Sequence, residues 1–139
     1  MQCQVDHINI VVRDLECSTR FYTGLLGMRV TRRAHLEGPW IESVAGLPGV
    51  SADVVYLQPS GGGPRIELIQ YTAPAGRALP ECALPNTVGL RHLALRVDDI
   101  EAAHERLTAA GVCFLGPPVA VPADAVRHNA GTKRLCYFH

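Results

Sequence analysis

The chain has 139 residues, 47% of them apolar, with thirteen acidic and thirteen basic side chains. That length suits one compact domain with a modest core, and the balanced charge argues against both a nucleic-acid protein with its basic stripe and a basic membrane-surface helix. No stretch approaches the roughly 18 unbroken apolar residues of a membrane span. The start, MQCQVDHIN, carries no signal-peptide pattern, and five cysteines without a CxxC pair read as free thiols, so the expectation is a soluble cytoplasmic protein with neither nucleic-acid nor membrane partner.

Residues 4–12 alternate as a strand, with Val5, His7, Asn9 and Val11 facing one way and Ile8, Ile10 and Val12 the other. Asp14 offers a helix N-cap. Leu15, Phe21, Tyr22, Leu25 and Leu26 then supply an apolar face at helical spacing, and Gly27 a stop. MRVTRR reads as a second strand, DVVYLQ at 53–58 as a third and RIELIQY at 65–71 as a fourth. PSGGGP is a turn between the last two. GPWIESVAGLPGVSA (38–52) reads as a long loop, and TAPAGRALPECALPNTVG (72–89) as a loop or linker. Loops of this length often cover a site.

From position 90 the plan begins again. DHINIVVRDLE at 6–16 and RHLALRVDDIE at 91–101 share a His, alternating apolar residues and an acidic helix start, and internal repetition outranks other signals in assigning a fold. His92, Ala94 and Arg96 share one strand face, and Leu93, Leu95 and Val97 the other. Asp98 with Glu101 resembles a capping box, with Ile100, Ala103, Leu107 and Ala110 as the helix stripe. VCFL at 112–115 matches the second strand and KRLCYF at 133–138 the third. A fourth strand has no counterpart. The expected fold is α+β: two tandem βαβββ modules, about 3–72 and about 90–139, joined by a linker at about 73–89, with the last strand of the second module missing.

A strand-borne histidine is ordinarily a partly buried imidazole bonded to backbone. The repeat changes that reading, because it sets His7 and His92 at equivalent points about a pseudo-twofold axis, where their rings converge. Glu67 shares a face with Ile69 and Tyr71, and an unpaired buried charge there costs several kcal/mol. A metal would satisfy it; the alternative is a salt bridge to Arg65, Arg91 or Arg96. Two imidazoles and a carboxylate suit zinc, nickel, cobalt, manganese or iron(II). Asn9, on the His7 face, and Trp40, in the first long loop, are candidate substrate contacts. His104 reads as a solvated side chain on the outer helix, His128 as loop surface and Cys136 as core.

The segments HINIVVRDLECSTRFYTGLLGM, GPRIELIQYTAP, RHLALRVDDIEAAHERLTAAGVCFLGPP and KRLCYFH resemble the vicinal oxygen chelate superfamily, which includes glyoxalase I, methylmalonyl-CoA epimerase, extradiol dioxygenases and bleomycin-resistance proteins. The resemblance implies a cup-like mixed sheet with helices outside, around one divalent metal ion. It places His7 and His92 on the ligand positions of the two first strands and Glu67 on that of the fourth, with Glu67 also the proton-moving base. The family's remaining ligand, a Glu after an Asp-Pro-x-Gly turn, has no match, which implies a metal weakly held or absent. The implied activity is proton transfer next to a carbonyl through a metal-stabilised enediolate, on a small-molecule substrate, by a homodimer. A metal-free binding or antibiotic-sequestering protein of the bleomycin-resistance type is the alternative, and an extradiol dioxygenase the third.

Overall fold

Period-two alternation from position 7 forms β1, His7–Val11, with Ile8 and Ile10 half-buried and His7, Asn9 and Val11 more exposed. The structure is a computed structural model that describes residues 3–78, 89–90, 92–122 and 133–138. The chain divides into two compact units, Met1–Glu81 and Cys82–His139.

In the first unit β1 leads into α1, Leu15–Arg20, as the acidic start predicts. The Asp14 side chain accepts the Cys17 N–H at 2.8 Å, and the Gln70 side-chain oxygen accepts the Leu15 N–H at 2.8 Å. These bonds satisfy amides that the first turn leaves without helical partners. A π-helical turn, Phe21–Leu25, continues the helix. β2, Arg29–Glu37, is longer than the predicted MRVTRR and bulges between Val30 and Arg32. The predicted loop at 38–52 is corrected by a helix, α2, Pro39–Ala45. Proline suits its first turn, Ile41 is its buried anchor, and Gly46 ends it in the left-handed conformation that glycine adopts without strain. β3, Ser51–Gln58, and β4, Arg65–Ala73, follow. The turn between them uses positive φ at Gly62 and Gly63.

The four strands make one mixed sheet in the order β1-β4-β3-β2, with β1 parallel to β4 and the other pairs antiparallel. α1 packs on β3 and β4. On this side Leu15, Met28, Val55, Leu57, Ile66 and Leu68 are buried together, with Ile8, Ile10, Tyr22 and Leu26 against them. On the other face Ala52, Val54 and Ile69 are buried, with Leu36, Tyr56 and Tyr71 beside them. The α1 side also carries His35, whose Nδ1 lies 2.8 Å from Asp53 and Nε2 3.6 Å from Glu37.

The hydrogen bond to Asp53, helped by the charges of Asp53 and Glu37, holds His35 above its ordinary value. A raised folded pKa gives stability fully present below the unfolded value of about 6.5 and lost as pH rises through the folded value. His35→Asn is therefore expected to shrink the stability difference between about pH 5.5 and pH 8.5 in urea unfolding. An unchanged difference would show that the pair contributes nothing.

In the second unit α3, Ile100–Ala109, is capped by Asp99, whose carboxylate accepts the Glu101 and Ala102 N–H groups at 3.0 Å each. The predicted cap at Asp98 is thus corrected by one residue, since the oxygen must reach the second and third helical amides. Residues 92–97, predicted as a strand, form none among the described residues. VCFL contributes an isolated bridge, Phe114 to Phe138, rather than a strand. The short strands β5, Val119–Ala120, and β6, Arg134–Leu135, pair antiparallel, and Arg134 forms an ion pair with Glu101. His104 is half-buried, its ring 4.3 Å from that of Phe114, a correction to the solvated side chain expected there. His128 lies outside the described residues. No helix among them is long and apolar enough to cross a membrane.

Candidate functional site

Sheet register assembles the site in the first unit. Asn9 on β1 is opposite Glu67 on β4, Glu67 is opposite Tyr56 on β3, and Tyr56 is opposite Arg32 on β2. Side chains at paired positions share a face, so one row crosses all four strands. One step along, His7 pairs with Arg65. The row lies on the face opposite α1, next to the apolar patch of Val54 and Ile69.

Glu67 is 8% exposed. Its Oε2 accepts from Asn9 Nδ2 at 2.6 Å and stands 3.3 Å from His7 Nε2. The hydrogen bond to Glu67, followed by burial, pushes the Tyr56 hydroxyl above its ordinary pKa. The guanidiniums of the salt-bridge alternative are elsewhere: Arg65 bonds Asp6, and Arg91 is outside the described residues. The carboxylate's burial is therefore met by hydrogen bonds from an amide and a phenol, with an imidazole beside it, and among the described residues no buried side-chain N or O lacks a partner.

His7 is held from three sides. Nδ1 is 2.8 Å from Asp6 Oδ2, the edge of the ring meets Tyr56 with centroids 6.0 Å apart at 88°, and Nε2 faces Glu67. Arg65 bonds the same Asp6 oxygen and lies 5.0 Å over the Tyr56 ring. The bonds from His7 and then Arg65 hold the Asp6 carboxyl below the usual carboxylate range. Asp6 and Tyr56 had no role in the sequence reading, although Asp6 adjoins a singled-out histidine, and Arg65 entered it only as an alternative salt-bridge partner of Glu67. Alternation alone would send Asp6 to the other face; it stands before β1 begins, free of the pleat.

His92 belongs to the second unit, where its ring meets that of Tyr137 edge-on, with centroids 5.5 Å apart at 88°. Tyr56 in DVVYLQ and Tyr137 in KRLCYF both lie in segments read as third strands, and each singled-out histidine meets a tyrosine of its own unit. Trp40 is on α2, which packs on β2, and is 58% exposed. A cavity of about 490 Å³ lies at the far end of β1, walled by Val11, Arg13, Tyr71 and Arg77. It touches neither His7 nor Glu67.

The donor chemistry fits a divalent metal as far as one unit extends. Ligands at about 2.1 Å in a tetrahedral site would stand about 3.4 Å apart, close to the separation of His7 Nε2 and Glu67 Oε2. Among the described residues no three His, Cys, Asp or Glu side chains group closely enough to hold a metal ion.

The sequence model of the Glyoxalase/Bleomycin resistance protein/Dioxygenase superfamily matches residues 4–130. The chain is 30% identical over 121 residues to a 2-epi-5-epi-valiolone epimerase of an Actinomyces species, an alignment spanning 84% of this chain and 64% of that protein. The chain thus covers less than two thirds of that relative's length. A glyoxalase family protein from Bacillus cereus superposes with a TM-score of 0.84 at 28% identity, covering 99% of this chain and 87% of that one. The fosfomycin resistance protein FosX of Listeria monocytogenes, solved with Mn(II) and sulfate, shares the fold at a TM-score of 0.56 and 19% identity, over 86% of this chain and 81% of its own.

Proposed function

This chain belongs to the Glyoxalase/Bleomycin resistance protein/Dioxygenase superfamily, and on that premise we propose that it is a metal-dependent enzyme of the glyoxalase or epimerase kind, moving a proton at a carbon next to a carbonyl. The observation that carries the reading is the approach of His7 Nε2 to Glu67 Oε2, 3.3 Å apart on one sheet face. The Actinomyces relative, named as an epimerase, supports the reaction class, and the Mn(II) of FosX supports the cofactor.

In this proposal His7 and Glu67 would hold the ion, and the sequence repeat is the ground for proposing His92 as a further ligand. When bound, a divalent metal would act as a Lewis acid on the substrate carbonyl and stabilise the charge that builds as the neighbouring proton leaves. Glu67 is the base that takes this proton. Asn9 and Tyr56 steady the carboxylate by hydrogen bonds, and the apolar surface of Val54 and Ile69 beside it keeps water from the reacting carbon. Asn9 and Trp40 are proposed substrate contacts. The repeat belongs to the proposal too: residues 90–139 are a second module in which 92–97 takes the place of β1 and the last strand is missing. The similar edge-on contacts of His7 with Tyr56 and of His92 with Tyr137 support it. The proposed assembly is a homodimer, which light scattering would test.

The test uses the chain loaded in turn with Zn, Ni, Co, Mn and Fe(II), and a panel of α-hydroxyketones and 2-ketoacids in deuterium oxide. Metal-dependent deuterium incorporation next to the carbonyl is the expected result. Stoichiometric ligand binding with no metal retained and no exchange would overturn the reading in favour of a binding protein, and oxygen uptake with catechols would favour a dioxygenase.

A further inference from the structure

We propose that Asp6, clamped by Arg65, is the positioning residue that commits His7 to the Nδ1–H tautomer and turns its Nε2 lone pair toward Glu67. This rests on the proposed metal site but concerns residues that the site reading does not use.

The argument begins with the two ring nitrogens. A neutral imidazole has one N–H and one lone pair, and the partner of one nitrogen decides the state of the other. His7 Nδ1 stands 2.8 Å from Asp6 Oδ2. An ionised carboxylate only accepts, so this nitrogen must carry the proton. In the neutral ring Nε2 is then the lone-pair nitrogen, and it is the one facing Glu67 Oε2 at 3.3 Å; in the charged ring it carries a proton toward that oxygen. Two lone-pair atoms held so close repel each other unless a proton or a cation lies between them. The pair is therefore set up to receive a positive centre.

Asp6 is itself fixed. The Arg65 guanidinium bonds the same Oδ2, and the Arg65 backbone N–H donates to the Asp6 carbonyl at 3.1 Å. Arg65 lies over the Tyr56 ring, which meets the His7 edge. Asp6, His7, Tyr56 and Arg65 thus form a closed ring of contacts around one imidazole. A carboxylate behind a ligand histidine fixes the ring plane and raises the basicity of the far nitrogen, and losing such a partner typically lowers metal affinity 10–100-fold.

The experiment compares the wild-type chain with Asp6→Ala, Asp6→Asn and Arg65→Gln. Imidazole ¹⁵N shifts are recorded without metal at about pH 8, and Co(II) binding is measured by calorimetry. The wild-type His7 should show a protonated Nδ1 and a bare Nε2. Asp6→Ala should shift His7 toward the Nε2–H form and weaken Co(II) binding roughly 10–100-fold. Asp6→Asn and Arg65→Gln should fall between, at unchanged melting temperature because Asp6 is exposed. A wild-type His7 with its proton on Nε2, or a tautomer balance unmoved in Asp6→Ala, overturns the proposal. So does wild-type Co(II) affinity in Asp6→Ala. A wild-type chain with the Nδ1–H tautomer but no Co(II) binding refutes the metal reading while upholding the role of Asp6 on the ring.

Discussion

Glu67→Ala is expected to lose roughly 100-fold or more in divalent-metal affinity, because removing a ligand exceeds the 10–100-fold loss typical of an outer-shell partner. It should also lose deuterium exchange altogether. Glu67→Gln separates the two roles assigned to this side chain. The amide oxygen remains a possible ligand, but the group no longer accepts a proton. Affinity should stay within roughly tenfold of the original while exchange falls by about 10²–10⁴, the usual worth of a general base. Calorimetry with Co(II) and mass-spectrometric deuterium counting read the two effects independently. Full affinity in Glu67→Ala would remove it as a ligand, and full exchange in Glu67→Gln would remove it as the base. Glu67→Ala also leaves Asn9 and Tyr56 without their acceptor, a loss of about 1–3 kcal/mol, so binding should be measured well below the melting temperature.

Leu68→Ala is expected to destabilise the protein by about 2–5 kcal/mol in urea unfolding. Leu68 is fully buried between the sheet and α1, where it meets the same apolar group as Leu57, Ile66 and Leu15. Truncation removes methyl groups from a densely packed interior that closes only partly over the gap. Val44→Ala is the control, since Val44 on α2 is 76% exposed and its loss should stay within about 0.5 kcal/mol. Equal losses in the two variants would mean that the apolar layer under α1 is not what holds the first unit together.

Much of the first unit is legible along the chain. The alternation through HINIV and RIELIQY separates Ile8, Ile10, Ile66 and Leu68 from His7, Asn9, Glu67 and Ile69, and the two sets lie on opposite faces of the sheet. The α1 start at Asp14 and the glycine turn after β3 were equally readable. α2 carried its own signals, proline at the start and glycine past the end, but they stood in a stretch whose proline and glycine content reads as loop. In the second unit the alternation of 92–97 was read as a strand, yet alternation describes only the side chains. A strand also needs a neighbour to bond its backbone, and none is seen for 92–97 among the described residues.

The candidate site divides the same way. Sequence alone determined that His7, Asn9 and Glu67 face away from the helix layer, because the face of a strand residue follows from a local period of two. Sequence alone also carried the family, through motifs spread over residues 4–130. Only tertiary structure decided which atoms meet. β1 lies beside β4 rather than β2, and that parallel register puts Asn9 opposite Glu67 and His7 opposite Arg65. Register between strands far apart in the chain is set by how whole faces bury against α1, which no short window of residues encodes. For that reason the buried carboxylate met an amide, a phenol and an imidazole, and Arg65 turned to Asp6.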